Sequence, residues 1–292
     1  MLMEQTRYHD ARGPRGRIER ITYQATNVKG MTLEKCANVY LPADYDTAPE
    51  QRYNVFYLMH GGGGNEDAWL DSCPVKNVLD RLNAEGALAP TIVVFPTYYT
   101  DGNTPENADF RIAGREEIIV FQIELMRNLV PAVESRYRTY AQSVDPEGLA
   151  ASRMHRGFGG FSMGGGNTWM TFTHNLASFA WFMPLSGDCW ELETMGGRTK
   201  PVETAALLKD IVTEGGIGPR DYFIYALTGS EDIAYENLTP QIEAMKAYPA
   251  QFQAADDFAS GNLRYEVADG FPHAYEYVVT YVERALPTFF RA

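Results

Sequence analysis

Short apolar runs along the chain alternate with longer stretches of helical periodicity. Apolar runs of four to eight residues are typical of strands buried in a parallel sheet, and their alternation with helices indicates an α/β fold. The first two predicted strands are expected to pair antiparallel and to open the sheet. In chain order, the predicted strands are Arg17–Gln24, Cys36–Leu41, Val55–His60, Thr91–Phe95, Gly157–Phe161, Phe179–Leu185, Tyr222–Thr228 and Leu263–Val267.

Amphipathic stretches predict helices between and after these strands, and the chain has no internal repeat. Pro131 lies inside the second helix and predicts a kink or a break there. Two segments, Tyr98–Asn107 and Glu191–Pro219, predict insertions over the carboxyl edge of the sheet, where ligands bind in open α/β folds. We predict a single domain over residues 18–292, preceded by an N-terminal extension, residues 1–17. The predicted helices are Val75–Asn83, Glu116–Tyr137, Gly164–Asn175, Pro240–Phe258 and His273–Phe290.

A glycine-rich stretch joins the fifth predicted strand to the helix that follows it. Residues 155–166 read HRGFGGFSMGGG, which places Ser162 in the frame Gly-x-Ser-x-Gly. On so sharp a turn the serine backbone is strained, and Gly160 and Gly164 remove Cβ atoms that would clash with neighbouring elements. The helix directs its free N–H groups toward the position of an oxyanion. The frame therefore predicts the nucleophile elbow of an α/β-hydrolase, with Ser162 as the nucleophile.

A second glycine-rich stretch, HGGGGN at residues 60–65, follows the third predicted strand. Glycines let the backbone approach a ligand closely, and the sequence matches oxyanion loops of the HGGG type. In that arrangement one N–H comes from the loop and the other from the residue after the nucleophile. We therefore predict that Gly62 and Met163 donate the two hydrogen bonds.

A serine hydroxyl needs an imidazole to accept its proton and a carboxylate to hold that imidazole. The chain has five histidines. His9 lies in a polar N-terminal segment, His60 in the oxyanion loop, His155 at the elbow strand and His174 on the elbow helix. His273 lies in a turn with Gly and Pro before the last predicted helix, so it is the predicted base.

In this fold the acid lies between the serine and the histidine along the chain. Asp232 follows the strand-like run at residues 222–228 and is the predicted acid. Glu231 is the close alternative, since either of two adjacent acids can cap the following helix instead. Asp188 ends a different strand and is a weaker alternative.

Four motifs together resemble the esterase D group and, within it, the feruloyl esterases of carbohydrate esterase family 1. The resemblance extends from about residue 18 to the end of the chain. It implies an α/β-hydrolase fold, with a mostly parallel sheet, flanking helices and loop insertions over the active site. The motifs are HGGGGN with nearby Trp69, GFSMGG at residues 160–165, LSGDCW at residues 185–190 and TGSEDIAY at residues 228–235.

The same resemblance implies a serine carboxylesterase that releases ferulic or related hydroxycinnamic acids from arabinoxylan through an acyl-serine intermediate. Its partner would be a feruloylated xylan oligosaccharide or a small hydroxycinnamate ester. Acetyl xylan esterases, S-formylglutathione hydrolases and mycolyltransferases belong to the same superfamily, so a small-ester hydrolase is the alternative. A catalytically silent carbohydrate-binding domain is the alternative from another class. The mechanism requires neither a metal nor an organic cofactor.

A feruloyl group is a flat ring with methoxy and hydroxyl substituents, so its pocket should offer apolar or aromatic faces. Trp69, just past the oxyanion loop, and Trp190, just past a strand end, are the predicted contacts. Tyr235 is a further candidate, and Tyr98 and Tyr99 are weaker ones.

Composition narrows the possible partners. The chain has 292 residues, 45% of them hydrophobic, and a formal charge of −13. Nucleic acid and anionic membranes would be repelled by such a surface, whereas a neutral polysaccharide would not. Three cysteines are too few for a disulfide framework or a zinc site. Residues 1–20 lack the apolar core of a signal peptide. Two locations stay open: secretion after removal of a signal, and action inside the cell. The sequence also leaves the oligomeric state open.

Overall fold

The computed structural model describes residues 13–26, 32–99 and 113–291. Its centre is an eight-stranded sheet in the order β1-β2-β4-β3-β5-β6-β7-β8. β1 pairs antiparallel with β2, and β2 pairs antiparallel with β4, while the remaining neighbours are parallel. The predicted mostly parallel α/β sheet is confirmed. The strands are β1 (Arg17–Thr26), β2 (Thr32–Leu41), β3 (Asn54–Met59), β4 (Thr91–Phe95), β5 (Arg156–Phe161), β6 (Trp181–Leu185), β7 (Phe223–Gly229) and β8 (Leu263–Ala268).

Helices cover both faces of the sheet and bury one apolar cluster on each side. α1, α2 and α10 pack on one face, and α3, α6, α8 and α9 pack on the other. Within the described ranges, every helix is too short or too polar to cross a lipid bilayer. The helices are α1 (Ala68–Ser72), α2 (Val75–Ala84), α3 (Ala113–Glu124), α4 (Val130–Glu134), α5 (Pro146–Ala151), α6 (Met163–Asn175), α7 (Gly196–Thr199), α8 (Pro201–Glu214), α9 (Tyr235–Met245) and α10 (Tyr275–Ala285).

The break predicted at Pro131 is a π turn. Residues Leu125–Leu129 connect α3 to α4, and the Val130 N–H bonds to the Leu125 carbonyl five residues earlier. A proline has no N–H, and its ring clashes with the carbonyl four residues before it in a regular helix. The wider turn relieves that clash, so the chain stays helical through the proline.

The helix predicted at Pro240–Phe258 is wrong at both ends. α9 begins five residues earlier, at Tyr235, and ends at Met245, so Pro240 lies inside it. Leu238 and Ile242 are fully buried on one side of this helix. Their packing against the sheet outweighs the hydrogen bond that the proline removes.

Two other helix predictions also change. The last helix is shorter than predicted, because His273 precedes α10 and a 3₁₀ turn, Leu286–Thr288, follows it. The insertion predicted at Glu191–Pro219 contains two helices, α7 and the 14-residue α8. The insertion is therefore a packed helical segment.

A buried ion pair anchors the amino end of β5, the strand that leads to Ser162. The guanidinium of Arg156 donates to both carboxylate oxygens of Glu134 and to the carbonyls of Leu149 and Ser178. A buried charge is tolerated when it is paired and fully hydrogen-bonded in this way. β5 is thereby tied to the helical layer before it reaches the elbow.

Candidate active site

Ser162 occupies a strained turn between β5 and α6. Its backbone angles are φ 59° and ψ −117°, which a non-glycine residue adopts only when its surroundings enforce them. The Ser162 N–H donates to the Leu185 carbonyl over 2.9 Å, and the Ser162 carbonyl accepts from the Gly166 N–H over 3.0 Å. β6 and the first turn of α6 therefore hold the serine in this conformation.

The elbow requires close approach of backbone to backbone. A Cβ on Gly160 would lie 2.7 Å from the Gly164 carbonyl oxygen, and one on Gly164 would lie 2.6 Å from the His60 carbonyl oxygen. These are the clashes expected from the sequence. Gly187, in the LSGDCW motif just after a strand, is under the same constraint, because a Cβ there would overlap the Ser162 carbonyl oxygen.

Three loops bring Ser162, His273 and Asp232 together. The Nε2 atom of His273 lies 2.9 Å from Ser162 Oγ, and its Nδ1 atom lies 2.7 Å from Asp232 Oδ1. The Asp232 side chain is fully buried and also accepts from the Ala234 N–H over 2.7 Å. Since a carboxylate only accepts, Nδ1 carries the imidazole proton and Nε2 is free to accept the serine proton.

The two alternative acids lie elsewhere. Glu231 is exposed, although its N–H bonds to the Phe271 carbonyl. Asp188 is buried, and its carboxylate accepts from Trp190 Nε1 over 2.9 Å and from the Gly197 N–H over 2.8 Å. Burial raises the pKa of Asp188 to about 6. Both carboxylates are therefore directed away from the imidazole that Asp232 holds.

The predicted oxyanion donors lie side by side. A Cβ on Gly62 would approach the Met163 sulfur to 3.0 Å, so the loop after β3 adjoins the start of α6. Among the described residues, neither the Gly62 N–H nor the Met163 N–H has a hydrogen-bond acceptor. Within the described ranges both N–H groups therefore have no acceptor from the protein, as the oxyanion prediction requires.

Trp69 does not lie where the sequence suggested. Its side chain is 1% exposed, its Nε1 donates to the Met59 carbonyl over 3.0 Å, and its ring packs edge-on against Tyr275. The expectation that Trp69 contacts substrate is therefore wrong. α1 turns this ring into the core beneath the oxyanion loop.

The other predicted substrate contacts are closer to the surface of the site. Trp190 is 5% exposed. A Cβ on Gly114 would lie 2.8 Å from Met163 Cε and 3.8 Å from Trp190 Cζ3, so the indole borders the same space as the Met163 side chain. Tyr235 begins α9 and is 37% exposed. These two residues stay candidates for substrate contact.

The first predicted insertion, Tyr98–Asn107, lies outside the described residues from Thr100 onward. Tyr98 and Tyr99 are buried, and their hydroxyls bond to the Gly61 carbonyl and the Gly63 N–H of the oxyanion loop. They support this loop from below.

No group of three potential metal-ligating side chains occurs in the described part of the chain. All three cysteines carry free thiols.

His60 is buried beside the oxyanion loop and held in its neutral form. Its Nδ1 lies 2.7 Å from the Gly61 carbonyl oxygen, and its Nε2 lies 2.9 Å from Thr97 Oγ1. The net effect lowers the pKa of His60 to about 4: burial lowers it, the bond to the Gly61 carbonyl partly offsets that shift, and the nearby Lys35 ammonium adds to it.

Comparison with known proteins places these features in a family. The family model named Esterase, described as "Putative esterase", matches residues 30–210. Endo-1,4-beta-xylanase Y of Acetivibrio thermocellus is 45% identical over 276 residues, which are 94% of this chain but 23% of that protein. Endo-1,4-beta-xylanase/feruloyl esterase of Xylanibacter ruminicola is 29% identical over 180 residues, 60% of this chain and 22% of that protein. The chain thus spans less than a quarter of these relatives.

A solved structure matches nearly the whole chain. It is a serine-to-alanine mutant of the feruloyl esterase module from Clostridium thermocellum, complexed with sinapinate. The identity is 44% with a TM-score of 0.84, and the match covers 97% of this chain and 91% of that one. The predicted α/β-hydrolase fold and the resemblance to feruloyl esterases are confirmed.

The neutral state of His60 predicts a pH-dependent stability. The unfolded chain, with an ordinary histidine pKa near 6.5, binds a proton before the folded protein does, so stability falls as pH drops from about 6.5 toward 4. Between pH 7.5 and pH 5 this group should remove about 2 kcal/mol from the free energy of unfolding. Urea titrations at both pH values measure the loss.

In the same titrations His60→Gln should show a smaller loss than the wild type, because glutamine does not titrate. His174→Gln is the matched control. His174 is partly exposed, and its hydrogen bond to Glu191 raises its pKa, so its removal should not flatten the dependence. An equal flattening in both variants would contradict the assignment.

The elbow geometry predicts opposite results for two alanines on α6. Gly164→Ala forces backbone atoms apart, and a displacement of about 1 Å at a reacting group costs roughly 100-fold in kcat/KM. Gly166→Ala should keep activity and stability, since its Cβ would lie 3.5 Å from the nearest atoms. Ester hydrolysis and thermal unfolding of the two variants test this, and equal behaviour would contradict it.

Proposed function

This chain belongs to the Esterase family, and on that basis we propose that it is a serine carboxylesterase that hydrolyses feruloyl and related hydroxycinnamoyl esters of plant cell-wall arabinoxylan. The main support for ester hydrolysis by a serine nucleophile is the series of hydrogen bonds from Ser162 through His273 to Asp232. The substrate class is supported by the 44% identity to a feruloyl esterase module complexed with sinapinate, a hydroxycinnamate. The proposal does not include the xylanase activity in the names of the longer relatives, because this chain matches less than a quarter of each.

In the first half of the proposed reaction, Ser162 Oγ attacks the ester carbonyl carbon while its proton passes to His273 Nε2. Asp232 holds the imidazole by Nδ1 and stabilises the positive charge that forms on it. The Gly62 and Met163 N–H groups donate to the oxygen that becomes negative. When the tetrahedral intermediate collapses, the sugar hydroxyl leaves with the proton from His273 and the acyl group stays on Ser162.

In the second half, His273 accepts a proton from water as that water attacks the acyl-serine. The same two N–H groups stabilise the second tetrahedral intermediate. Its collapse returns the proton to Ser162 Oγ and releases the hydroxycinnamic acid. The proton transfers between Ser162 and His273 use atoms that lie 2.9 Å apart, and the reaction as written needs no cofactor.

The acyl group would lie beside Trp190, whose ring, like the Met163 side chain, lies within 4 Å of the position of a Cβ on Gly114. The half-exposed ring of Tyr235, three residues after Asp232, offers a surface for the sugar side of the ester. A charge of −13 is compatible with a neutral polysaccharide and unfavourable for nucleic acid or an anionic membrane. We also propose that residues 18–292 form one catalytic domain after an extension over residues 1–17, although Arg17 already belongs to β1.

Rates on four esters test the substrate class: methyl ferulate, feruloylated arabinoxylan fragments, 4-nitrophenyl acetate and S-formylglutathione. We expect ferulate release well above the acetate rate, because an aromatic wall binds a flat acyl group better than a methyl group. Ser162→Ala is the blank and should remove nearly all turnover while leaving the fold intact. Fast acetate or thioester cleavage without ferulate release would contradict the substrate, and an active Ser162→Ala would contradict the site.

Adjacent carboxylates provide a matched test of the acid. Asp232→Asn should lower kcat by about 10³ to 10⁴, because an amide favours the wrong imidazole tautomer and carries no charge to stabilise the imidazolium. Glu231→Gln changes an exposed side chain one residue away and should leave kcat nearly unchanged. Steady-state kinetics on one ester measure both variants. A larger loss in Glu231→Gln would reverse the assignment.

A further inference from the structure

We propose that Tyr98 and His60 are positioning residues of the oxyanion hole, which hold the Gly61–Gly62 peptide so that the Gly62 N–H faces Ser162. The proposal rests on the proposed function, since it takes the Gly62 N–H as a donor to the developing negative charge. It assigns a role to two buried groups that neither touch Ser162 nor take part in proton transfer.

Three donors converge on a single carbonyl, and two of them are side chains. The Gly61 oxygen accepts from the Tyr98 hydroxyl over 3.0 Å, from His60 Nδ1 over 2.7 Å and from the Gly64 N–H over 3.1 Å. In a planar trans peptide the carbonyl and the following N–H point in opposite directions. Anchoring the Gly61 oxygen in the core therefore directs the Gly62 N–H outward. Without the two side-chain bonds only the Gly64 N–H would hold this peptide, which lies between two glycines and rotates easily.

The preceding peptide is held as well. The Gly61 N–H donates to the Tyr275 hydroxyl over 2.8 Å, and the Tyr275 ring packs against the Trp69 ring in a T-shaped arrangement with centroids 5.0 Å apart. Tyr275 follows His273 by two residues. The oxyanion loop is therefore connected directly to the turn that carries the base.

The His60 bond requires one tautomer. Only an imidazole with its proton on Nδ1 donates to the Gly61 carbonyl, and the Thr97 hydroxyl, 2.9 Å from Nε2, selects that tautomer by donating to the other nitrogen. Thr97 is itself held, because its carbonyl accepts from Lys35 Nζ over 2.9 Å. Lys35 is paired with Glu124 at 2.8 Å, and both side chains are buried. The anchor therefore extends into the core.

This arrangement acts on the transition state more than on the bound ester. Hydrogen bonds to a carbonyl polarise its peptide and make the following N–H a better donor, so the two side-chain donors to the Gly61 oxygen strengthen the Gly62 N–H. The hydrogen bond from this N–H is strongest when the ligand oxygen carries a negative charge, and that charge develops only as Ser162 adds to the ester. Loss of the anchor should therefore lower kcat with little effect on KM.

Tyr98→Phe removes one anchor and keeps the ring. We expect kcat on 4-nitrophenyl acetate and methyl ferulate to fall about tenfold, less than the 10² to 10³ caused by loss of an oxyanion donor itself, with KM nearly unchanged. Tyr40→Phe is the matched control. It also removes a buried phenol hydroxyl, which donates to Asp80 over 3.0 Å away from the site, so it should lower stability without lowering kcat.

Inhibitor affinity separates a positioning role from a structural one. An arylboronic acid forms a tetrahedral adduct with the serine and places an oxygen between the two N–H donors, whereas ferulate binds as a ground-state product. In Tyr98→Phe the boronic acid should lose affinity by about the factor that kcat loses, while ferulate affinity stays unchanged. An equal loss of both affinities, or an unchanged kcat, would overturn the proposal.

Thr97→Val provides a second, nearly isosteric variant if Tyr98→Phe does not fold. It removes the donor to His60 Nε2, so the imidazole is free to take the tautomer that repels the Gly61 carbonyl, and kcat should again fall selectively. Wild-type kcat in Thr97→Val would contradict the role of His60. If methyl ferulate is not cleaved but 4-nitrophenyl acetate is, the proposed substrate fails while the positioning test can still be made. If Ser162→Ala stays active, the proposed site itself fails.

Discussion

Close approach of backbone to backbone around Ser162 is the constraint on which the rest of the site depends. β5, the start of α6 and the segment after β6 meet at distances that a Cβ on Gly160, Gly164 or Gly187 would prevent. That contact enforces a positive φ on Ser162 and exposes its hydroxyl above the sheet edge. The protein tolerates this strained backbone conformation because two backbone hydrogen bonds and the packing of three elements hold the turn.

The parallel arrangement of the strands explains how distant residues meet at this point. Asp232 follows β7 and His273 follows β8, and parallel strands end at the same edge of the sheet. Residues 111 positions apart are thus brought within 2.9 Å. The Asp232 side chain is buried completely, which shields its hydrogen bond to the imidazole from water, and the His273 side chain is 19% exposed.

Aromatic residues around the oxyanion loop have structural roles in the described part of the site. Tyr98, Tyr99 and Tyr275 bond to its backbone, and Trp69 supports Tyr275 from the core. A loop rich in glycine has little side-chain packing of its own, so its conformation must come from its neighbours. A hydroxyl on a rigid ring suits this task, since it places a single polar group at a defined distance from the core.

The sequence by itself determined the alternation of strands and helices, because that alternation rests on local periodicity. Glycine placement predicted the elbow and the oxyanion loop, and the chain order typical of the fold predicted the acid and the base. Only the tertiary structure brings Asp232, and not Glu231, to His273, since the loop conformation buries one carboxylate and exposes the other. It also placed Trp69 in the core and kept Pro240 inside α9. Those outcomes depend on packing between segments far apart in the chain, and no local pattern encodes which face of an element finds a partner.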